Sequence, residues 1–291
     1  MRIFLFLLLA FSLAGQTAVK LKVAAVQFRS SYDVADNRKR IIEVLDRLSR
    51  EGVGVAAFPE CALTGYHKRA VMAAAAGEIA AAEEQIARAC RERKIAVVVG
   101  SIYKVNGKTY NTAVVFDSRG GLVERYAKLM LAGERWATPG NHIAFFELEG
   151  VPSTVIICHD ERYPEFVRLP AMQGARVVYY ISSESGMKDE SKLVPYRAQM
   201  MARAVENRVF VVAANTPADE KNLEASSHGQ SRIIHDDGNV LKEASYFGED
   251  VLIETLSIKP GRLDRPLKGV TGDWWRQGLE WMLKNRERQL E

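Results

Sequence analysis

Residues 153–165, STVIICHDERYPE, pass from an apolar run to a polar one within a few positions. Ser153–Ile157 has the composition of a buried strand, and Cys158 stands at its end. The polar residues that follow lead into Pro164–Gln173, which is predicted to be a helix. Its proline stands near the first turn, where a backbone N–H would have no partner within the helix. This succession of strand, turn and helix predicts an α/β fold.

Strand-like and helix-like segments alternate on both sides of that stretch. Asp36–Arg50 is predicted to be a helix because Ile41, Leu45 and Leu48 recur at helical spacing among charged residues. The same patterns predict further helices at Glu78–Arg93 and Pro195–Asn207, and strands at Lys20–Phe28, Val53–Phe58, Ile95–Gly100, Arg176–Ile181, Val209–Ala214 and Val251–Ser257.

No low-complexity or proline-rich linker divides these segments, so we predict a single domain over residues 20–291. The domain is expected to end in a helix at about 274–288. Its apolar side would carry Trp275, Leu279, Met282 and Leu283.

Turn signals between other strand-like runs predict hairpins. Asn106-Gly107 is the strongest of them, and Glu149-Gly150 and Asp237-Gly238 are of the same kind. The chain therefore resolves into two β-α-β halves with hairpins between and after them. This arrangement favours a four-layer α-β-β-α sandwich. The alternative is one doubly wound sheet with helices on both faces.

The N-terminus has the pattern of an export signal. Met1-Arg2 gives a short positive start, Ile3–Ala10 is almost unbroken apolar sequence, and small residues stand at Ser12 and Ala14. We predict a signal peptide over residues 1–14, cleaved near Ala14, and an exported protein, periplasmic or extracellular. The apolar run is short for a membrane span, so an uncleaved anchor is the alternative and no stable insertion is expected after cleavage.

The amino-acid composition and motifs of the chain argue against some classes of function. The formal net charge is +4, from 40 basic and 36 acidic residues, with no dense basic run, which argues against a nucleic-acid binder. The five histidines are scattered, and neither a metal-binding helix pair nor a phosphate-binding glycine loop is present in the sequence, so we expect no metal and no cofactor. Of the three cysteines, Cys61 and Cys90 could pair, which leaves Cys158 as an unpaired thiol.

Three chemically reactive residues each follow a predicted strand: Glu60, Lys128 and Cys158. Taken singly, they could be a loop carboxylate, a surface lysine and an inert buried thiol. Taken together, they could line one edge of a sheet and each supply a different function in a hydrolysis that passes through a covalent intermediate. Lys128 would lower the thiol pKa and stabilise an oxyanion, Glu60 would move protons, and Cys158 would attack.

Around these residues the sequence resembles the nitrilase superfamily of carbon–nitrogen hydrolases. The resemblance rests on Ala57-Phe58-Pro59-Glu60, on Tyr126-Ala127-Lys128-Leu129-Met130 and on the stretch from Ile156 to Glu165, and it extends from about Leu21 to about Ser257. It implies an α-β-β-α sandwich and the three roles given above. It also implies that Glu134 orients Lys128 and the substrate, and that the protein is a homodimer or a higher homo-oligomer.

The resemblance leaves the reaction open among several branches. His159-Asp160, followed by Arg162-Tyr163-Pro164-Glu165, is similar to the branches that hydrolyse small amides and N-carbamoyl compounds, so we expect such a small-molecule substrate. A nitrilase acting on a small nitrile is the alternative, and a catalytically inactive exported binding protein is the alternative of another class. The residues expected to contact the substrate are Tyr66, His159, Ser183 and Asn215.

Overall fold

A computed structural model describes residues 18–187, 190–223 and 227–259, together with 276–278, 280, 281 and 284. The described helices and strands, in chain order, are β1 (Val19–Gln27), α1 (Val34–Arg50), β2 (Val55–Ala57), α2 (Lys68–Ala73), α3 (Ala76–Arg93), β3 (Ala96–Val105), β4 (Lys108–Phe116), β5 (Leu122–Ala127), β6 (Phe146–Leu148), β7 (Val151–Ile157), α4 (Glu165–Gln173), β8 (Val177–Ser182), α5 (Glu190–Asn207), β9 (Phe210–Asn215), β10 (Arg232–Ile234), β11 (Val240–Glu243) and β12 (Asp250–Ile258). A 3-10 turn, Cys158–Arg162, lies between β7 and α4.

The strands form two six-stranded sheets. The first has the order β12-β1-β2-β3-β4-β5, and the second has the order β11-β10-β9-β8-β7-β6. In each sheet the strands nearest the centre run parallel, β1 with β2 and β3 in one and β7 with β8 and β9 in the other. Antiparallel hairpin strands complete both edges of the second sheet and the β4-β5 edge of the first, as the turn signals in the sequence predict. The other edge of the first sheet is β12, which pairs antiparallel with β1.

The two sheets pack face to face, and helices cover their outer faces. Val23 and Val98 of the first sheet share one apolar cluster with Val155 and Tyr179 of the second. Alternate residues of the first sheet pack instead with the helices α1 and α3, through residues such as Ile41. The helices α4 and α5 cover the second sheet in the same way. The four-layer α-β-β-α sandwich is therefore confirmed, and the single doubly wound sheet is excluded.

This topology gathers several strand ends at one edge of the molecule. The carboxyl end of β2 leads to Glu60, and that of β5 leads directly to Lys128. From the second sheet, β7 ends immediately before Cys158 and β8 ends immediately before Ser183. Parallel strands present their carboxyl ends on the same side, which is where open α/β folds place their sites.

Some boundaries differ from the sequence predictions. The Asn106-Gly107 hairpin is confirmed, with φ values of 50° and 71° that match a tight primed turn. The helix α5 begins at Glu190 and not at Pro195, so Pro195 lies inside the helix, where it costs one intrahelical hydrogen bond. The short helix α2 was not predicted because its six residues carry no apolar repeat.

The Cys61–Cys90 disulfide that the sequence allows is not formed. Both cysteines are free and fully buried, Cys61 behind the first sheet beside Glu60 and Cys90 on the inner side of α3. Each packs as a small apolar side chain against the helices of the first layer.

Two predicted segments lie wholly or partly outside the described residues. Residues 1–14, the predicted signal peptide, are not among them. Of the predicted C-terminal helix, residues 276–278, 280, 281 and 284 are helical, whereas Trp275, Leu279, Met282 and Leu283 lie outside the described residues. No helix in the described ranges is both long and apolar enough to span a bilayer.

We predict that Gly100→Ala destabilises the strand end that carries Glu60. A Cβ at this position in β3 would lie 2.1 Å from the Pro59 carbonyl oxygen and 2.4 Å from the Cys61 nitrogen. Because those atoms are backbone, we expect a loss of about 1–3 kcal/mol in the free energy of unfolding, measured by urea denaturation.

The matched control for this substitution is Gly77→Ala near the start of α3, where nothing lies within 4 Å of the added Cβ. This change should leave stability within about 1 kcal/mol of the wild type, because alanine is the better helix former. Equal stability of the two variants would contradict the close backbone approach at Gly100.

Candidate active site

Cys158 occupies a strained turn at the end of β7. Its φ is 48°, in the left-handed region that a residue with a side chain adopts at a cost of about 1–3 kcal/mol. The residue is half-buried and opens the 3-10 turn that leads towards α4. In this turn the chain leaves the direction of β7, and the thiol lies at the edge of the molecule where the other strands of the site also end.

A buried carboxylate, Asp160, holds this turn in place. Its Oδ2 accepts hydrogen bonds from the Ile157 amide at 3.1 Å and from the Tyr126 hydroxyl at 2.7 Å. Its Oδ1 accepts from the Met130 amide at 2.8 Å. Burial raises the pKa of Asp160 to about 6, although these hydrogen bonds oppose the rise. Asp160 thus ties the cysteine turn to the segment that follows Lys128.

Lys128 is fully buried between two carboxylates. Its Nζ lies 2.8 Å from Glu60 Oε1, and it also donates to Glu134 Oε1. Burial by itself lowers the pKa of Lys128, but the charge that Cys158 carries once it is a thiolate and the charges of Glu60 and Glu134 outweigh burial and raise that pKa. The lysine therefore carries a fixed positive charge at the centre of the site.

The carboxylate of Glu60 is held at both oxygens. Oε1 accepts from Asn111 Nδ2 at 2.7 Å as well as from Lys128. Oε2 accepts from the Ser183 amide at 2.9 Å. Asn111 is itself fixed, because its side-chain oxygen accepts a 3.6 Å contact from the Cys61 thiol. The side chain is 1% exposed, so these partners replace water around the carboxylate.

Glu134 braces the other side of Lys128. Its Oε2 accepts from the Ala132 amide, and Tyr66 also hydrogen-bonds to it. Burial raises the pKa of Glu134, but the charge of Lys128 and these hydrogen bonds have the larger effect, so the net shift of that pKa is downward. Glu134 is therefore ionised, which is the state that the orienting role implied by the family resemblance requires.

The thiol of Cys158 is protonated in the resting site. Burial raises its pKa well above the usual value, and the charge of Glu60 raises it further. The ammonium of Lys128 lowers it, as the sequence analysis expects, but does not compensate for burial. The arrangement therefore needs a base to remove the thiol proton at the moment of attack, and the carboxylate of Glu60, held beside Lys128, is the candidate for that base.

The residues expected to contact substrate take different positions. Tyr66 and Ser183 line a cavity of about 190 Å³ at the site edge, together with Arg29, Ser30, Tyr32, Gly65, Thr216, Pro217, Asp219, Asn222 and Ser227. His159, next to Cys158, is half-buried and its ring contacts Tyr163 edge-on at 6.0 Å. Burial lowers the pKa of His159, so its imidazole is neutral.

Asn215, the fourth residue expected to contact the substrate, is held by hydrogen bonds within the chain. Its side-chain oxygen accepts hydrogen bonds from Ser182 Oγ, Ser227 Oγ and the Thr216 amide at 2.9–3.0 Å, and from the Glu184 amide at 3.3 Å. With this oxygen occupied from within the chain and only 4% of the residue exposed, Asn215 supports the surrounding loops and does not offer that oxygen to a substrate.

Asp160 and Asn111 contact the site, although the sequence does not single them out. Asn111 carries one signal, since it is a polar residue within the apolar strand β4 and therefore needs a buried partner. Asp160 lies in a stretch of several polar residues, where nothing local distinguishes it. Among the residues that the structure describes, no group of three or more His, Cys, Asp or Glu side chains could hold a metal ion.

Comparison with protein families and sequences gives consistent matches. The model of the carbon–nitrogen hydrolase family matches residues 22–263. The 2-oxoglutaramate amidase of Bacillus subtilis is 28% identical over 230 residues, covering 77% of this chain and 86% of that protein. The omega-amidase of Xenopus tropicalis is 25% identical over 237 residues, covering 77% of this chain and 84% of its own.

Solved structures match over most of the chain. A cysteine-to-alanine mutant of an amidase from Nesterenkonia, a member of the nitrilase superfamily, has a TM-score of 0.75 and 25% identity, and the match covers 85% of this chain and 93% of that one. In a second structure of that amidase, with a TM-score of 0.74, 25% identity and coverage of 83% and 94%, the acetamide moiety of fluoroacetamide is added covalently at the active-site cysteine.

We predict that Asp160→Asn impairs the site without changing the size of the side chain. The new NH2 group would face amide donors of Ile157 or Met130, leaving a buried donor without an acceptor at a cost of about 1–3 kcal/mol in the free energy of unfolding. The turn at Cys158 should loosen, and the rate of Cys158 alkylation should change. Asp250→Asn at the exposed start of β12 is the control, and identical alkylation rates in the two variants would contradict the bracing role.

Proposed function

The chain belongs to the carbon–nitrogen hydrolase family, and on that premise we propose that it hydrolyses a small amide through a thioester on Cys158. One observation carries the proposal. A fully buried ammonium, Lys128, is clamped between Glu60 and Glu134 beside a thiol at a strained strand end. A fold that needed only stability would gain nothing from this set, because buried ion pairs are weak stabilisers.

The first half-reaction forms the thioester. As the sulfur of Cys158 attacks the amide carbonyl carbon, Glu60 removes the thiol proton, so no free thiolate has to accumulate. The carbonyl oxygen becomes an oxyanion, which the Lys128 ammonium and backbone amides at the turn stabilise. Glu60 then gives its proton to the leaving nitrogen, the C–N bond breaks, and ammonia departs.

The second half-reaction releases the acid. Water attacks the thioester carbon while Glu60 accepts one of its protons, and a second tetrahedral oxyanion forms beside Lys128. The C–S bond breaks, and the proton held by Glu60 returns to the sulfur. One amide and one water become one carboxylic acid and one ammonia, and the thiol and the carboxylate are restored.

The cavity at the site edge suits a short polar substrate. It measures about 190 Å³ and carries Arg29, whose guanidinium lies 3.2 Å from Asp219 and is 39% exposed. The relative named 2-oxoglutaramate amidase acts, by its name, on an amide that also bears a carboxylate. We therefore infer that monoamides of short dicarboxylic acids are candidate substrates beside short aliphatic amides.

We predict that the protein releases ammonia from one class of amide and that Cys158→Ala or Cys158→Ser lowers kcat by at least about 10³-fold. The panel contains short aliphatic amides, monoamides of dicarboxylic acids, N-carbamoyl amino acids, N-carbamoyl amines and small nitriles. Cys90→Ala is the matched control, since Cys90 is a free buried thiol away from the site.

The results of this assay distinguish the alternative functions of the protein. Cys158-dependent ammonia from N-carbamoyl compounds or nitriles would move the assignment to that branch of the family. No turnover across the panel, together with no covalent adduct on Cys158 after incubation with fluoroacetamide, would favour a catalytically inactive binding protein. Full activity in Cys158→Ala would overturn the mechanism.

We also propose that residues 1–14 are a cleaved export signal and that the mature protein acts outside the cytoplasm as a homo-oligomer. The short positive start, the apolar run Ile3–Ala10 and the small residues before the cleavage point support export. N-terminal sequencing of the chain recovered outside the cytoplasm should begin near residue 15, and an intact Met1 found only in the cytoplasm would contradict this. Sedimentation of the mature chain tests the oligomeric state.

A further inference from the structure

The cavity at the site edge carries two opposite charges side by side. Within the described chain its lining holds one basic side chain, Arg29, which follows β1, and one acidic side chain, Asp219, which follows β9. Arg29 Nη1 lies 3.2 Å from Asp219 Oδ2, and the two side chains are 39% and 38% exposed. An ion pair this exposed contributes little to stability, and both of its charges remain accessible to a ligand in the cavity. We refer to Arg29 and Asp219 as the charged pair.

Two other lining residues connect this cavity to the catalytic set. The amide of Ser183 donates to Glu60 Oε2 at 2.9 Å, and Tyr66 hydrogen-bonds to Glu134. The wall of the cavity therefore touches both carboxylates that hold the buried ammonium. One end of a molecule in the cavity lies next to the catalytic set, while its other end lies at the charged pair.

Backbone groups hold both side chains of the charged pair in place. Arg29 Nη2 donates to the Ala218 carbonyl oxygen at 2.5 Å, and Asp219 Oδ1 accepts from the Lys221 amide at 3.0 Å. Each of these bonds uses a different atom from the two that face each other. Nη1 and Oδ2 can therefore bind a ligand while both side chains stay anchored, and charges that are preorganised in this way lose little conformational freedom on binding.

The spacing of the two charges sets the chemistry of the ligand. A carboxylate alone would be attracted by Arg29 and repelled by Asp219, and an ammonium alone would meet the reverse conflict. A zwitterion is complementary to both. Because the charges of the cavity are 3.2 Å apart, those of the ligand have to be similarly close, as they are when a carboxylate and an ammonium are bonded to one carbon. The cavity volume of about 190 Å³, that of about six water molecules, limits the rest of the ligand to a short chain.

We propose that Arg29 and Asp219 are specificity-determining residues that select the side-chain amide of a short α-amino acid, the class to which asparagine and glutamine belong. The inference rests on the proposed function for its chemical step and on the charged pair for its choice of substrate. Arg29 binds the α-carboxylate and Asp219 binds the α-ammonium, so the carboxamide extends towards Cys158. Hydrolysis then follows the steps given above, in which the amide and one water become a carboxylic acid and ammonia.

The test uses two series of amides in which the charges are removed one at a time. Glutamine carries both charges, glutaramate lacks the ammonium, 4-aminobutanamide lacks the carboxylate, and butanamide lacks both. The second series, one carbon shorter, consists of asparagine, succinamate, 3-aminopropanamide and propanamide. In at least one series we expect kcat/KM for the amino acid amide to exceed that for each other member by at least about tenfold, because hydrogen bonds between charged groups discriminate by this much.

Two variants assign the two charges to their partners. Arg29→Gln should raise KM at least about tenfold for the amides that carry a carboxylate, and Asp219→Asn should do the same for those that carry an ammonium. The change should lie in KM more than in kcat, because the head group is bound alike before and during the reaction. Arg69→Gln on α2 and Asp250→Asn at the start of β12 are matched controls, exposed and outside the cavity lining, and should leave the KM values unchanged.

Two results would overturn the inference. One is a kcat/KM for the amino acid amide that, in both series, does not exceed that of every other member. The other is a loss of equal size for all members of a series in Arg29→Gln and in Asp219→Asn, which is what a purely structural role of the ion pair predicts.

A binding measurement without turnover separates this inference from the proposed function. Calorimetric titration of the Cys158→Ala variant with glutamine and with asparagine gives their affinities. An affinity that falls at least about tenfold when Arg29→Gln or Asp219→Asn is added supports the charged pair even if the chain hydrolyses no amide. No detectable binding of either amino acid amide overturns the inference. Cys158-dependent ammonia release from butanamide, without discrimination in either series, would support the proposed function and remove this inference.

Discussion

The site depends on the burial of one positive charge. Lys128 has no access to water, and removing an ammonium from water costs several kcal/mol unless its partners are close and well oriented. Glu60 and Glu134 supply that compensation from opposite sides. Because the three side chains come from different segments, the charges stabilise one another only when both the first sheet and the loop after β5 are in place. The charge of Glu60 adds to burial in raising the pKa of the neighbouring Cys158 thiol, and the charge of Lys128 opposes both.

The second requirement is alignment between the two sheets. The charged set belongs to the first sheet, whereas Cys158 and Ser183 come from the second. Asp160 bridges them, since it accepts from Tyr126 at the end of β5 and from Ile157 at the end of β7. The Ser183 amide makes a second bridge to Glu60. The thiol, the base and the ammonium are thus positioned by hydrogen bonds that cross the interface between the sheets.

The sequence predicts the layers and the placement of Glu60, Lys128 and Cys158 because those features follow from local patterns: an apolar run, its end, and the residue after it. It does not predict Asp160 as the bridge, since that role depends on Tyr126 and Met130, which are distant in the chain. The hydrogen bonds that occupy the Asn215 side-chain oxygen are also beyond the sequence, because their donors are brought together only by the fold. The sequence predicts that Lys128 lowers the pKa of Cys158. It does not predict that burial raises this pKa by more.

The order of the strands has a consequence for how the chain folds. The strand β1 pairs along its whole length with β12, from Val19 with Ile258 to Gln27 with Asp250, and its other edge pairs with β2. The first sheet therefore cannot be completed until the last described strand has been synthesised, and contacts of such long sequence separation close slowly. During translation, the edge of β1 that will pair with β12 has no partner strand until β12 has been made. The apolar core between the two sheets is therefore closed only after nearly all of the described chain has left the ribosome.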